Sequence, residues 1–174
     1  MCLDDPYLMA PNPTKRSWTY PLPEFGCVHV PNCIVFRSSE QHGYQLLPQP
    51  HTMAMIVAAS YSNPPVEKDP KTGETVISGS TFIKNVKRKI ACIFEAAAMR
   101  GYQILVLSAF GCGAYGMPPK HMAQLMREVL MQNDYFKSKF TRVVFAIFDD
   151  HNSFKEMNPE GNVKPFAQVF CNSD

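Results

Sequence analysis

Three glycines fall within "FGCGAYGMPP" (Phe110–Pro119), directly after the apolar run "ILVLSA" and directly before "KHMAQLMREVLMQ", where Met122, Leu125, Met126, Val129 and Leu130 recur at helical spacing. Strand, glycine turn and helix in that order narrow the possible folds more than any other feature of the chain. Gly111, Gly113 and Gly116 open backbone conformations closed to other residues and let amide N–H groups approach a bound group closely. A helix starting at Pro118 or Pro119 directs its partial positive end at the same point. Such a turn suits a phosphate or diphosphate. The plainer alternative is a tight strand-to-helix turn whose glycines serve packing.

The flanking segments extend this unit into an α/β pattern. From Thr81 to Arg100, Phe82, Ile83, Val86, Ile90, Ile93, Phe94 and Ala97 recur at three- and four-residue steps. That spacing predicts a helix capped by Ser80 or Thr81 and stopped at Gly101. "RVVFAIFD" supplies a further apolar strand and "NVKPFAQVF" a short final helix. Upstream, "CVHVP", "NCIVFR" and "HTMAMIVAAS" are sheet components; the last, like "QILVLSAF", reads as a strand covered on both faces. The polar stretch "YSNPPVEKDPKTGETVISGS" reads as a surface loop. Pro6, Pro11, Pro13, Pro21 and Pro23 make residues 1–25 an extended arm with little regular structure. Alternating helices and strands imply a largely parallel sheet flanked by helices.

At 174 residues and 45% hydrophobic content, the chain suffices for one core, and a single domain over residues 1–174 is expected. A net charge of +2 with dispersed Lys and Arg gives no footprint for direct nucleic-acid binding but does not oppose a small anion. The six cysteines include no CxxC pair and read as free thiols of a reducing compartment. No apolar run approaches the ~20 residues of a membrane span, and no signal peptide is evident. An intracellular protein, cytoplasmic or nuclear and without membrane association, is the expectation. The glycines also satisfy G-x-G-x-x-G, but the next strand ends late, at Asp149 and Asp150, and too little chain follows for a second dinucleotide-binding half. Lys120 is followed by His121 instead of Ser or Thr, which disfavours a P-loop.

"LVLSAFGCGAYGMPPKHMAQLMREVL", followed by "FTRVVFAIFDDHNSF" and "NVKPFAQVF", resembles the C-terminal part of the microbial-type poly(ADP-ribose) glycohydrolase branch of the macrodomain superfamily. "YPLPEFGCVHVPNCIVFR" and "MIVAASYSNPP" resemble that branch's middle segments. The resemblance implies a mixed sheet between helices, with ADP-ribose bound across the strand ends. Carried over by position, Gly111, Cys112, Gly113, Ala114 and Gly116 match the loop that wraps the diphosphate. Tyr115 matches an aromatic beside the distal ribose, with ordinary loop packing as the alternative. Phe148 matches a position contacting the adenosine end, and Asn162 and Phe166 lie in the segment flanking the adenine side. Core packing or capping is the alternative for these three.

One departure bears on chemistry. Enzymes of this branch carry, upstream of the matched part, a Gly-rich stretch and a Gln-Glu-Glu triplet that supplies the catalytic acid. No two glutamates are adjacent in this chain, whose one Glu before the first strand is Glu24, and glycosidic cleavage needs a positioned carboxyl group. The expectation is therefore an N-terminally truncated macrodomain-like fold that binds ADP-ribose or ADP-ribosylated protein with little or no hydrolysis. Two alternatives stay open: a hydrolase whose acid is unidentified or supplied by a partner, and an interaction module without a ligand. No catalytic residue is assigned, and no metal or cofactor is expected. A sheet left partly uncovered favours a homodimer.

Overall fold

The computed structural model describes residues 2–4, 22–155 and 158–171, so most of the proline-rich arm lies outside the described residues. The chain divides into two compact units, Met1–Ala58 and Ala59–Asp174.

In the first unit, β1 (Cys2–Asp4) runs parallel to β2 (Cys27–Arg37), and β2 pairs antiparallel with β3 (Leu46–Val57). "CVHVP" and "NCIVFR" are thus one strand. Its register slips between Val30 and Cys33, where Pro31 has no N–H to give to the ladder. The turn into β3 uses Gly43 at φ 68 and is fastened by Arg37 Nη1 donating to the Tyr44 carbonyl at 2.9 Å. Cys27, Val28 and His29 are buried, whereas β3 is largely exposed, Met53 and Met55 included. The expectation that this apolar run is covered on both faces is corrected. Among the described residues β3 is an edge strand with β2 as its one neighbour, and an apolar run does not say which layer lies against it.

The second unit begins with a hairpin, β4 (Val66–Lys68) against β5 (Thr75–Ile77), inside the stretch read from sequence as loop. Its turn is organised by Asp69, whose Oδ1 accepts the N–H groups of Lys71 at 2.8 Å and Thr72 at 2.9 Å. Next comes α1 (Ser80–Met99), which buries Val86, Ile90, Ile93, Phe94 and Ala97 as the spacing predicts. Its N-cap is Gly79 at φ 86, with no side chain capping, so Ser80 is already helical. That corrects the expected Ser80 or Thr81 cap. The parallel pair β6 (Ile104–Leu107) and β7 (Arg142–Phe145) is joined through α2 (Pro119–Met131) and the short α3 (Asp134–Lys139), and α4 (Val163–Phe170) is the last described element. Phe94 of α1, Phe136 of α3 and Phe140 form the aromatic joint of this unit, with the Phe94 ring centroid 5.5 Å and 5.9 Å from the other two. On β6, Leu105 is buried, but Ile104 and Val106 are 60% and 61% exposed. The described residues therefore cover one face of this strand, again in contrast to the expected two.

His121, in the first turn of α2, ties that helix to the hairpin: its Nδ1 accepts the Ile77 N–H at 2.8 Å. Burial lowers its proton affinity below the ordinary 6.5, Glu128 opposes that shift and Lys87 adds to it. Only an unprotonated Nδ1 can accept the bond. Between the lowered folded value and 6.5 the unfolded chain binds more protons, so stability rises with pH across that window and is lost as pH falls through it. The melting temperature is expected to drop from about pH 7 to about pH 5, with a flatter profile for His121→Gln. Identical slopes for the two chains would exclude His121 as the cause.

Candidate functional site

After β6 the chain folds on itself through its own backbone. Cys112 N–H donates to the Ala109 carbonyl, Gly116 N–H to Gly113, and Met117 N–H to Gly111, each at 3.0 Å. A fourth bond, Asn63 N–H to the Tyr115 carbonyl at 2.9 Å, fastens the loop to the segment before β4. The three glycines serve three different needs. Gly111 has φ 77, and a Cβ there would lie 2.4 Å from Ser60 Oγ and 2.9 Å from Met117 Cγ. Gly116 has φ 72 with open space around it. Gly113 has no left-handed backbone, and a Cβ on it would meet Asn152 Nδ2 at an ordinary 3.7 Å.

These turns leave the amide groups of Gly113 and Ala114 without a protein acceptor among the described residues. Both residues border a hollow of about 290 Å³, at the small end of ligand-site sizes. Cys112, Gly116 and Met117 complete the loop's side of it, Asn63 contributes from the segment before β4, and Asn152, Lys155 and Asn158 contribute from the connection between β7 and α4. α2 begins at Pro119 with Pro118 as N-cap and no capping side chain, so its positive end is not neutralised from within the helix. The two open amides and the Lys155 side chain are donors that suit an anion.

Cys112 takes part by shape alone. Its thiol is buried and its pKa is pushed far up by that burial, so no thiolate nucleophile is available at neutral pH. Ser60 Oγ is buried beside Gly111 and has no hydrogen-bond partner among the described residues.

The other residues singled out from sequence stand elsewhere. The Tyr115 side chain is 43% exposed, Phe148 is 75% exposed, and neither lines the hollow. Asn162 is buried in a polar network: its Oδ1 accepts from Asn158 Nδ2 at 2.9 Å, and its Nδ2 donates to Ser153 Oγ at 3.3 Å. Its backbone N–H donates to Asp149 Oδ1 at 2.5 Å, as does that of Val163 at 3.2 Å. β7 ends at Phe145, earlier than the expected strand end at Asp149 and Asp150, so Asp149 lies in the following connection and caps α4 from there. Phe166 packs at 5.5 Å from Phe145. Sequence reasoning did not single out Asn63, Asn152, Lys155 or Asn158. For Asn152, Lys155 and Asn158 a usable signal existed in the length of the connection over residues 146–162, because a connection of that length between regular elements is usually either functional or a linker.

No family profile matches the chain, and no curated protein matches it in sequence. Solved structures do match. The poly(ADP-ribose) glycohydrolase of Deinococcus radiodurans in complex with ADP-ribose is similar with a TM-score of 0.59 at 22% identity, over 82% of this chain and 51% of that one. The same enzyme in apo form gives 0.58 at 23% identity, over 82% and 52%. The poly(ADP-ribose) glycohydrolase of Thermomonospora curvata gives 0.61 at 25% identity, over 83% and 47%. The chain therefore has the mixed α/β macrodomain-like fold of the bacterial poly(ADP-ribose) glycohydrolases, as its sequence resemblance implied, and spans about half the length of those structures.

Proposed function

We propose that this chain is an ADP-ribose-binding module that accepts free ADP-ribose or the ADP-ribosyl group of a modified protein. The observation that carries the reading is the pair of amides, Gly113 and Ala114, that have no protein acceptor among the described residues and border a hollow in the loop just before α2. A diphosphate is the part of ADP-ribose that such donors recognise. The D. radiodurans structure that shares the fold is a complex with ADP-ribose, which supports the same ligand class. None of the described residues lining the hollow is a carboxylate, so the reading is binding without cleavage by these residues themselves.

Titration calorimetry with ADP-ribose, AMP and NAD tests this. ADP-ribose is expected to release heat on saturable binding, and to bind more tightly than AMP because its diphosphate offers the loop more acceptors. The same preparation incubated with poly(ADP-ribose) is expected to release no ADP-ribose. Absence of heat with ADP-ribose at millimolar concentration would remove the binding reading, and release that disappears on changing one acidic residue would replace it with hydrolysis.

A further inference from the structure

The proposed ligand carries full negative charge, whereas the loop offers it neutral amides and a helix end. A full positive charge stands on the other wall of the hollow. Lys155 lines it together with Asn152 and Asn158. Lys87, Lys120, Lys137 and Lys164 of the same unit each meet a carboxylate, but Lys155 has no ion pair among the described residues. Its backbone is held in place: the Lys155 carbonyl accepts the Asn158 N–H at 2.8 Å, and Asn158 Nδ2 donates to the buried Asn162 at 2.9 Å. Asn162 in turn donates to Ser153 Oγ, and the Asp150 N–H donates to that same oxygen at 3.2 Å. The stem of Lys155 thus starts from a fixed point, and the flexible ammonium is the part left to respond to a ligand.

We infer that Lys155 is the cation that neutralises a phosphate group in the glycine-loop hollow, a positioning and affinity role within the binding reading proposed above, on which this inference rests. An ammonium with no ion pair among the described residues, on a residue that lines the hollow together with the open loop amides, lowers the cost of bringing phosphate oxygens out of water. Its contribution is electrostatic and is therefore sensitive to salt.

The test uses the full chain, with ADP-ribose and inorganic pyrophosphate as separate probes and with Lys155→Gln and Lys155→Arg as variants. Lys155→Gln is expected to weaken both probes by about tenfold or more and to flatten the dependence of affinity on salt. Lys155→Arg is expected to stay within about threefold of the parent, since the charge is kept. Circular dichroism checks that folding is unchanged, as expected for an exposed side chain. If the parent binds ADP-ribose and Lys155→Gln matches it in affinity and salt slope, the role of Lys155 is overturned while the binding reading stands. Lys155-dependent pyrophosphate binding without ADP-ribose binding would keep the cation and overturn the ligand. Binding of neither probe would overturn both.

Discussion

A Gly111→Ala chain is expected to lose about 2–5 kcal/mol of folding stability, whereas Gly113→Ala stays close to the parent. The contrast follows from geometry. At Gly111 the backbone is left-handed, φ 77, which costs an L-residue about 1–2 kcal/mol. A Cβ there would also lie 2.4 Å from Ser60 Oγ, 2.7 Å from Ser60 Cβ and 2.9 Å from Met117 Cγ. Met117 is buried and has little room to retreat, and overpacking of this kind costs about 1–3 kcal/mol. Removing the Ser60 side chain in a Gly111→Ala, Ser60→Gly pair should recover part of the steric share and none of the backbone share. At Gly113 an added methyl meets Asn152 at an ordinary distance. Gly113→Val is therefore expected to fold normally and to abolish ADP-ribose binding by filling the hollow. Urea denaturation together with calorimetry reads all four chains. A Gly111→Ala midpoint equal to that of the parent would show that the loop relaxes, and full binding by Gly113→Val would show that the ligand does not approach this backbone.

Those three glycines are the same letter in the sequence, and periodicity alone did not separate their roles. The need for small residues in the loop was legible because it is local: a strand must turn sharply into a helix within a few residues. Which glycine carries strain and which has room beside it depends on Ser60 and Asn152, residues distant in sequence. The long helices were legible for a similar reason, since α1 and α2 repeat their apolar residues over several turns. Their caps were less so, because the φ 86 at Gly79 belongs to the chain's path out of β5 and not to any sequence pattern. The β4–β5 hairpin was missed because its strands are three residues each and polar in part; the signal was in its turn, Asp69 to Gly73. α3 was missed because its six residues contain a single buried side chain, Phe136, too few to show a period. The same logic explains the unforeseen wall of the hollow. Asn63, Asn152, Lys155 and Asn158 look like solvated loop residues until the fold brings two separate segments to one glycine turn.

Phe94→Ala is expected to be the most damaging single substitution in the second unit. Phe94 is 1% exposed and sits where α1 meets α3, its ring 5.5 Å from Phe136 and 5.9 Å from Phe140. Truncation removes the buried ring area and leaves a cavity that two helices and a strand entry cannot close without moving. Phe→Ala changes at such sites cost about 3–5 kcal/mol, against a total of about 5–15 kcal/mol for a typical domain. α3 should respond first. Phe136 is its only buried residue, and its remaining support is the Asn133 side chain accepting the Tyr135 and Phe136 N–H groups, a cap worth about 1 kcal/mol. Hydrogen exchange over Asp134–Lys139 should therefore accelerate in Phe94→Ala at temperatures where α1 and α2 are still protected. Phe94→Leu, which keeps most of the volume, is expected to cost about 1–2 kcal/mol and to leave that exchange nearly unchanged. A Phe94→Ala chain within about 1 kcal/mol of the parent, or with unchanged exchange in α3, would mean that this aromatic joint does not hold α3 to the core.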